Sequence, residues 1–175
     1  DGAETYRLVD AGVETIFLRP LGRKSRLCDL VLTGYNRFDG PLDHHVYLKL
    51  PEPMQIGGRY ELRFAGGEVA PVAFTFDPSV NRSEAVHVSQ IGFRPDDPVK
   101  VAFASCWLGS GGAMDWPEPP VFRIRDAATG EEAFRGRARK VKAAGEVLPD
   151  AYRRDYDRAN VYRMDFAELT RPGRY

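Results

Sequence analysis

Apolar residues recur at every second position along most of this chain, and that period admits strands and little else. Tyr6 and Leu8 alternate with polar neighbours, as do Val46, Leu48 and Leu50, then Tyr60, Leu62 and Phe64, then Val72, Phe74 and Phe76. The second half repeats the habit at Val86 and Val88, at Val99, Val101 and Phe103, at Phe122 and Ile124, and at Tyr162, Met164 and Phe166. Successive side chains of a strand project to opposite faces, so each set marks one apolar face. Thr15 to Leu18 and Leu27 to Leu32 are more continuously apolar and are predicted as central strands.

Turn chemistry separates these runs at short intervals. Asp39-Gly40-Pro41, Ile56-Gly57-Gly58, Ala65-Gly66-Gly67 and Ala128-Thr129-Gly130 all interrupt the alternation. Many short strands with closely spaced turns predict an all-β fold, with two antiparallel β-sandwiches in tandem. One or two helical turns are expected at Ala151 to Ala159, with Tyr152 and Tyr156 on one side. The polar, proline-bearing stretch 78–83 reads as a short linker. It separates an N-terminal module, residues 1–77, from a second module, residues 84–175.

Charge and cysteine content narrow the function. Lysine plus arginine and aspartate plus glutamate number 25 each, so the formal charge is zero. A phosphate-binding surface or a charge-driven membrane contact is not expected of such a chain. Cys28 and Cys106, the only cysteines, fall in different predicted modules and make no disulfide framework. No apolar run reaches membrane-spanning length, and the sequence starts without a signal-like leader.

The glycine-arginine-tyrosine triplet occurs twice. Gly58-Arg59-Tyr60 opens an alternating run, and Gly173-Arg174-Tyr175 stands at the end of the sequence. If the two are equivalent, Tyr175 opens a strand, in the manner of the tyrosine corner of sandwich folds. The second module is then expected to lack its last strand.

Three segments of the second half carry a family resemblance. Val86-His87-Val88-Ser89-Gln90-Ile91-Gly92-Phe93-Arg94-Pro95, followed by Lys100-Val101-Ala102, is the first. Arg125-Asp126-Ala127-Ala128-Thr129-Gly130-Glu131 with Phe134 and Gly136 is the second, and Asp165 to Tyr175 the third. Together they resemble the immunoglobulin-like domain that precedes the catalytic barrel in family 9 glycoside hydrolases, the endoglucanase family. Ser89, Phe93 and Ala167 depart from the family's usual asparagine, tyrosine and serine, and the Trp107 to Trp116 segment looks like an insertion. The resemblance implies an accessory module of a secreted or periplasmic, bacterial polysaccharide-degrading enzyme. It implies a catalytic domain in cis, and it supplies no catalytic residue here.

An independent site is hard to build from the residues. Asp96-Asp97 could ligate calcium, but lies between prolines and reads as a solvated turn. His44-His45 lacks further ligands at metal spacing, and His87 sits in an alternating strand. Ser105 has no nucleophile-elbow context, and Cys106 reads as a packed thiol. The basic run 135–142 reads as one solvated edge strand, neutralised by Glu146, Asp150, Asp155 and Asp157. Trp107 and Trp116 flank a glycine-rich loop; with Tyr152 and Tyr156 they are the candidate carbohydrate-binding residues, against the alternative that both tryptophans pack inside. Pro172-Gly173 suits a type II turn. No cofactor, metal, nucleic acid or membrane is expected. A polysaccharide, or a second copy joined through an open sheet edge, are the alternative partners.

Overall fold

The computed structural model describes residues 6–10, 13–18, 20–27, 31–34, 37–39, 42–50, 52–64, 69–148 and 153–175, with side chains from residue 45 onward. The described chain is all-β. Every strand pairing is antiparallel, and the one short helical turn is a 3-10 turn at Gly109–Gly111. The chain divides into two compact units, residues 1–82 with 108–111 and residues 83–107 with 112–175.

The first unit contains β1 (Tyr6–Asp10), β2 (Val13–Leu18), β3 (Pro20–Leu27), β4 (Val31–Gly34), β5 (Arg37–Asp39), β6 (Leu42–Leu48), β7 (Arg59–Phe64) and β8 (Val72–Thr75). A four-stranded sheet runs β2-β1-β7-β8, with two-stranded sheets β3-β6 and β4-β5. The strands expected to be central are not. β2 lies at the edge of its sheet, and the run Leu27 to Leu32 divides, Leu27 closing β3 and Leu32 lying in β4 of another sheet. A continuous apolar run does not say how many strands it makes, because continuity carries no register. The stretch expected as a short linker starts in a turn: Asp77 Oδ1 accepts from Ser79 N at 2.8 Å, and the Asp77 carbonyl from Asn81 N at 2.9 Å.

The second unit contains β9 (Val86–Val88), β10 (Val101–Ala104), β11 (Val121–Arg125), β12 (Glu132–Arg137), β13 (Arg139–Lys142) and β14 (Val161–Asp165). One sheet has the order β13-β14-β10-β9, the other is the β11-β12 hairpin. The core is Ala102, Ala104, Ala138, Tyr162, Met164 and Phe166, against which Phe93, Trp116, Phe122, Ile124 and Phe134 pack. Both sheets contribute to it, as in a sandwich.

In β10 the alternation was legible but its face is inverted. Val99 and Phe103 are exposed, while Ala102 and Ala104 are buried. Registration explains this: Ala102 lies opposite Met164 and Ala104 opposite Tyr162 on β14. The small side chains face the core because the large ones across from them fill it. Similarly, the basic run is not one solvated strand. It bends at buried Ala138 between β12 and β13, and its last residue, Lys142, is buried.

Glycine serves two different needs here. Gly130 (φ 73°) closes the β11-β12 hairpin, where Asp126 Oδ1 accepts the amides of Ala128 and Thr129 at 2.9 and 3.2 Å. Those amides hold the Asp126 carboxyl below its ordinary range. Gly173 has no positive φ, so Pro172-Gly173 is not the type II turn expected. Its need is space: a Cβ there would stand 2.9 Å from the Tyr175 ring.

Gly136 on β12 has the same kind of constraint, since a Cβ would lie 2.5 Å from the Phe122 ring, opposite it in register. Gly136→Ala is expected to destabilise the protein by roughly 1–3 kcal/mol, the usual cost of overpacking. Urea unfolding measures this, and an unchanged midpoint would show that the Phe122 ring moves freely.

Candidate functional site

One end of the second unit gathers most of its buried polar chemistry. Tyr162, central in its sheet on β14, is 0% exposed. A phenol buried so completely needs partners for its hydroxyl. It donates to Asp115 and accepts from the Trp116 amide at 3.3 Å. Lys140 on β13 donates to the same Asp115 oxygen at 2.7 Å, with its ammonium 5.2 Å from the Tyr162 ring centre. The Lys140 and Tyr162 hydrogen bonds hold the Asp115 carboxyl below its ordinary range, and Asp115 in turn raises Lys140.

Next to this stands a buried cation. The side chain of Lys142 is 8% exposed, and it donates to Asp155 at 2.7 Å and to Asp157 at 2.8 Å. The carbonyls of Ala143 and Ala159 accept at 3.3 Å. Burial opposes the charge on Lys142, but the two carboxylates outweigh it and its pKa is raised. Asp155 is pushed well below the carboxylate range, first by Lys142, then by Asp157 and the amides of Gly145 and Arg158. Asn160, also buried, accepts from Ala144 N at 3.0 Å and donates to Met114 O at 3.1 Å. Ala144 and Asn160 are thus tied to loop 112–117.

These bonds replace the helical turn expected around Tyr156. Arg153 (φ 56°) and Arg158 (φ 49°) both adopt the left-handed region, which a right-handed helix excludes. Tyr156 is 62% exposed; Tyr152 lies outside the described residues. Trp107 is half-buried, with the Arg158 guanidinium 5.7 Å from its ring centre. Trp116 is half-buried and meets Tyr162 edge to face at 4.9 Å. Among the described candidates, both tryptophan rings already have a neighbour, and Tyr156 is the exposed one.

The remaining candidates are dispersed. Asp97 accepts from the Arg94 amide at 2.7 Å and Asp96 pairs with the Arg94 guanidinium at 3.1 Å, as a surface turn would. His87 is exposed, its Nε2 3.2 Å from the Ser105 carbonyl. Cys106 is buried, with its thiol 3.4 Å from a Glu84 carboxylate oxygen. Among the described residues no cluster of His, Cys, Asp or Glu could hold a metal ion. No described helix is long and apolar enough to cross a membrane.

The shifts in the polar cluster run away from neutrality, carboxylates down and lysines up. A general acid or base needs the opposite, a pKa brought toward the working pH. Their hydrogen bonds and ion pairs hold the segments that carry Asp115, Asp155 and Asp157. The sequence marks Asp155 and Asp157 as neutralising the basic run, but the burial of Lys142 between them is not legible there, because they meet it across 13 and 15 residues of chain. Its only local trace was acidic residues following a basic run.

Replacing Lys142 with Met is expected to move acid unfolding to higher pH. Asp155 has a depressed folded pKa, so its stabilisation is present above the unfolded value of about 3.9 and is lost as pH falls through the folded one. Without the ammonium, that loss begins earlier on acidification. At the alkaline end the raised pKa of Lys142 means stability lost as pH rises through it, and the variant should lack that phase. Circular dichroism against pH reads both, and coincident curves would contradict the pairing.

Comparison with protein-family models matches residues 81–175, more than half of the chain, to the cellulase N-terminal ig-like domain. The match starts just before the three resemblant segments and spans them all. Comparisons with curated proteins and with solved structures return no match. Two antiparallel sheets facing one core are the sandwich arrangement of immunoglobulin-like domains, and Tyr175 donates to Arg171 O as a tyrosine corner does. The chain belongs to the family of cellulase N-terminal immunoglobulin-like domains.

Proposed function

We propose that residues 81–175 form a non-catalytic accessory module of a secreted, polysaccharide-degrading glycoside hydrolase of the family 9 type. The module holds in place a catalytic domain carried by the same polypeptide. The family match over residues 81–175 is the observation that carries this reading. The fixed charges of Lys142, Asp155, Lys140 and Asp115 agree with it, since they order a surface and offer no proton near neutral pH. Residues 1–77 are a separate module in this reading, joined through the Asp77 turn.

A second reading, glycan contact, has one observation in its favour, the exposed ring of Tyr156. Aromatic rings present an apolar face to a sugar, and Tyr156 lies in the loop that Lys142 orders.

Comparing the parent enzyme with a version lacking residues 81–175 tests the leading reading. The deletion is expected to lower both the melting temperature of the catalytic domain and its rate on soluble cellulose. Residues 1–175 alone should release no reducing sugar. Sugar release by residues 1–175, or an unaltered enzyme after the deletion, would refute it. Retention of residues 1–175 on insoluble glucans, abolished by Tyr156→Ala, would establish the second reading.

A further inference from the structure

The charges of this chain sum to zero, but they are not spread evenly. Phe122, Ile124 and Phe134 of the β11-β12 hairpin pack against the core. Alternation therefore puts Arg123 and Arg125 of β11, and Arg135 and Arg137 of β12, on the opposite face, where all four are exposed. The register shift between Ile124 and Arg125 brings Glu132 opposite Arg125, and so onto this face too. Four guanidinium groups thus share one strand surface with a single carboxylate.

Register sets the spacing of these charges. Arg123 lies directly opposite Arg135, and Arg137 opposite Val121. Side chains on one face stand about 5 Å apart across the strands and about 7 Å apart along them. Like charges directly opposite each other destabilise a sheet. Glu132 relieves that contact: its carboxylate accepts from the Arg135 fork at 2.9 and 3.0 Å, and lies 3.2 Å from Arg123 Nε. The Arg135 hydrogen bond, then the charges of Arg135, Arg123 and Arg125, hold the Glu132 carboxyl below its ordinary range. Arg125 and Arg137 donate instead to the carbonyls of Gly130 and Pro119, both at 3.2 Å. The face keeps a surplus of positive charge.

A guanidinium is a planar fork that meets a carboxylate with two parallel hydrogen bonds. The Arg135–Glu132 pair shows this fit on the face itself. The other forks stand at strand spacing, which suits an extended polymer bearing an acid group on each unit. Single-stranded nucleic acid fits less well. Such strands are held largely by bases stacked on exposed aromatic rings, and both rings of this hairpin, Phe122 and Phe134, pack against the core.

We propose that the solvent face of the β11-β12 hairpin is a binding site for an acidic polysaccharide, one that carries carboxylates along an extended chain. Arg123, Arg125, Arg135 and Arg137 take those carboxylates, and Glu132 fills one of the seats while the polymer is absent. Arg125 and Arg137 give up only carbonyl contacts to bind it. The carboxylate chemistry follows from the hairpin alone. That the polymer is a polysaccharide rests on the reading of this module as part of a polysaccharide-degrading enzyme.

Binding by residues 1–175 alone tests this, so its failure is distinct from any result of deleting the module from the parent enzyme. Electrophoresis through gels containing polygalacturonate should retard the protein at low salt, and gels containing the neutral methyl ester should not. Raising the salt to about 0.15 M should weaken the retardation, as expected of exposed charges. Arg125→Gln combined with Arg137→Gln should raise the dissociation constant about 10-fold, with circular dichroism unchanged. Glu132→Gln should do the opposite and tighten binding about 3-fold, because it frees the Arg135 fork. A residue that only held the hairpin together would weaken binding when replaced. No retardation, equal retardation by the methyl ester, unchanged binding in the arginine double variant, or weaker binding in Glu132→Gln would overturn the proposal. So would single-stranded DNA bound as tightly as polygalacturonate, because the face would then read charge alone.

Discussion

The hydroxyl of Tyr162 is the group on which the second unit is organised. Its ring lies wholly within the core, so the hydroxyl has no water to turn to and must be satisfied by protein. Asp115 and the Trp116 amide satisfy it, which fixes where loop 112–117 crosses the sheet. That position brings Trp116 edge-on to the ring and lets Lys140 reach Asp115. Asn160, just before β14, then fastens Met114 and Ala144. Two buried polar side chains, Tyr162 and Asn160, thus tie together segments that are remote in sequence.

Lys142 carries the same logic to Asp155 and Asp157. A buried ammonium is stable only with anions and carbonyls around it, and two aspartates and two carbonyls converge on it. Drawing Asp155 and Asp157 onto one nitrogen bends the chain, and Arg153 and Arg158 take up that bend with left-handed backbone. The helix-like spacing of Tyr152 and Tyr156 carries no weight against two ion pairs.

The two glycine-arginine-tyrosine triplets show one device used in both units. The glycine is there because a ring lies on it, and the ring is there because its hydroxyl has a backbone partner. Tyr60 continues into a paired strand, and its ring is buried. Tyr175 uses its hydroxyl in the opposite sense, donating to Arg171 O where Tyr60 accepts from Gln55 N, and it remains partly exposed. The difference in burial reflects the neighbouring strands, not the triplet.

The sequence by itself determined the strand period, the all-β class, the hairpin at Asp126 to Gly130 and the family of residues 81–175. These are local properties: a side-chain period of two, an Asx turn, a glycine that must be small. Tertiary structure decided which face of β10 is core, since Ala102 and Ala104 face inward only because Met164 and Tyr162 stand opposite. It decided that Leu27 and Leu32 belong to different sheets, and that Trp107 and Trp116 already face other side chains. It decided, too, that a lysine at the end of a basic run is the buried centre of a loop. Each of these depends on partners far along the chain, and no local pattern records who those partners are.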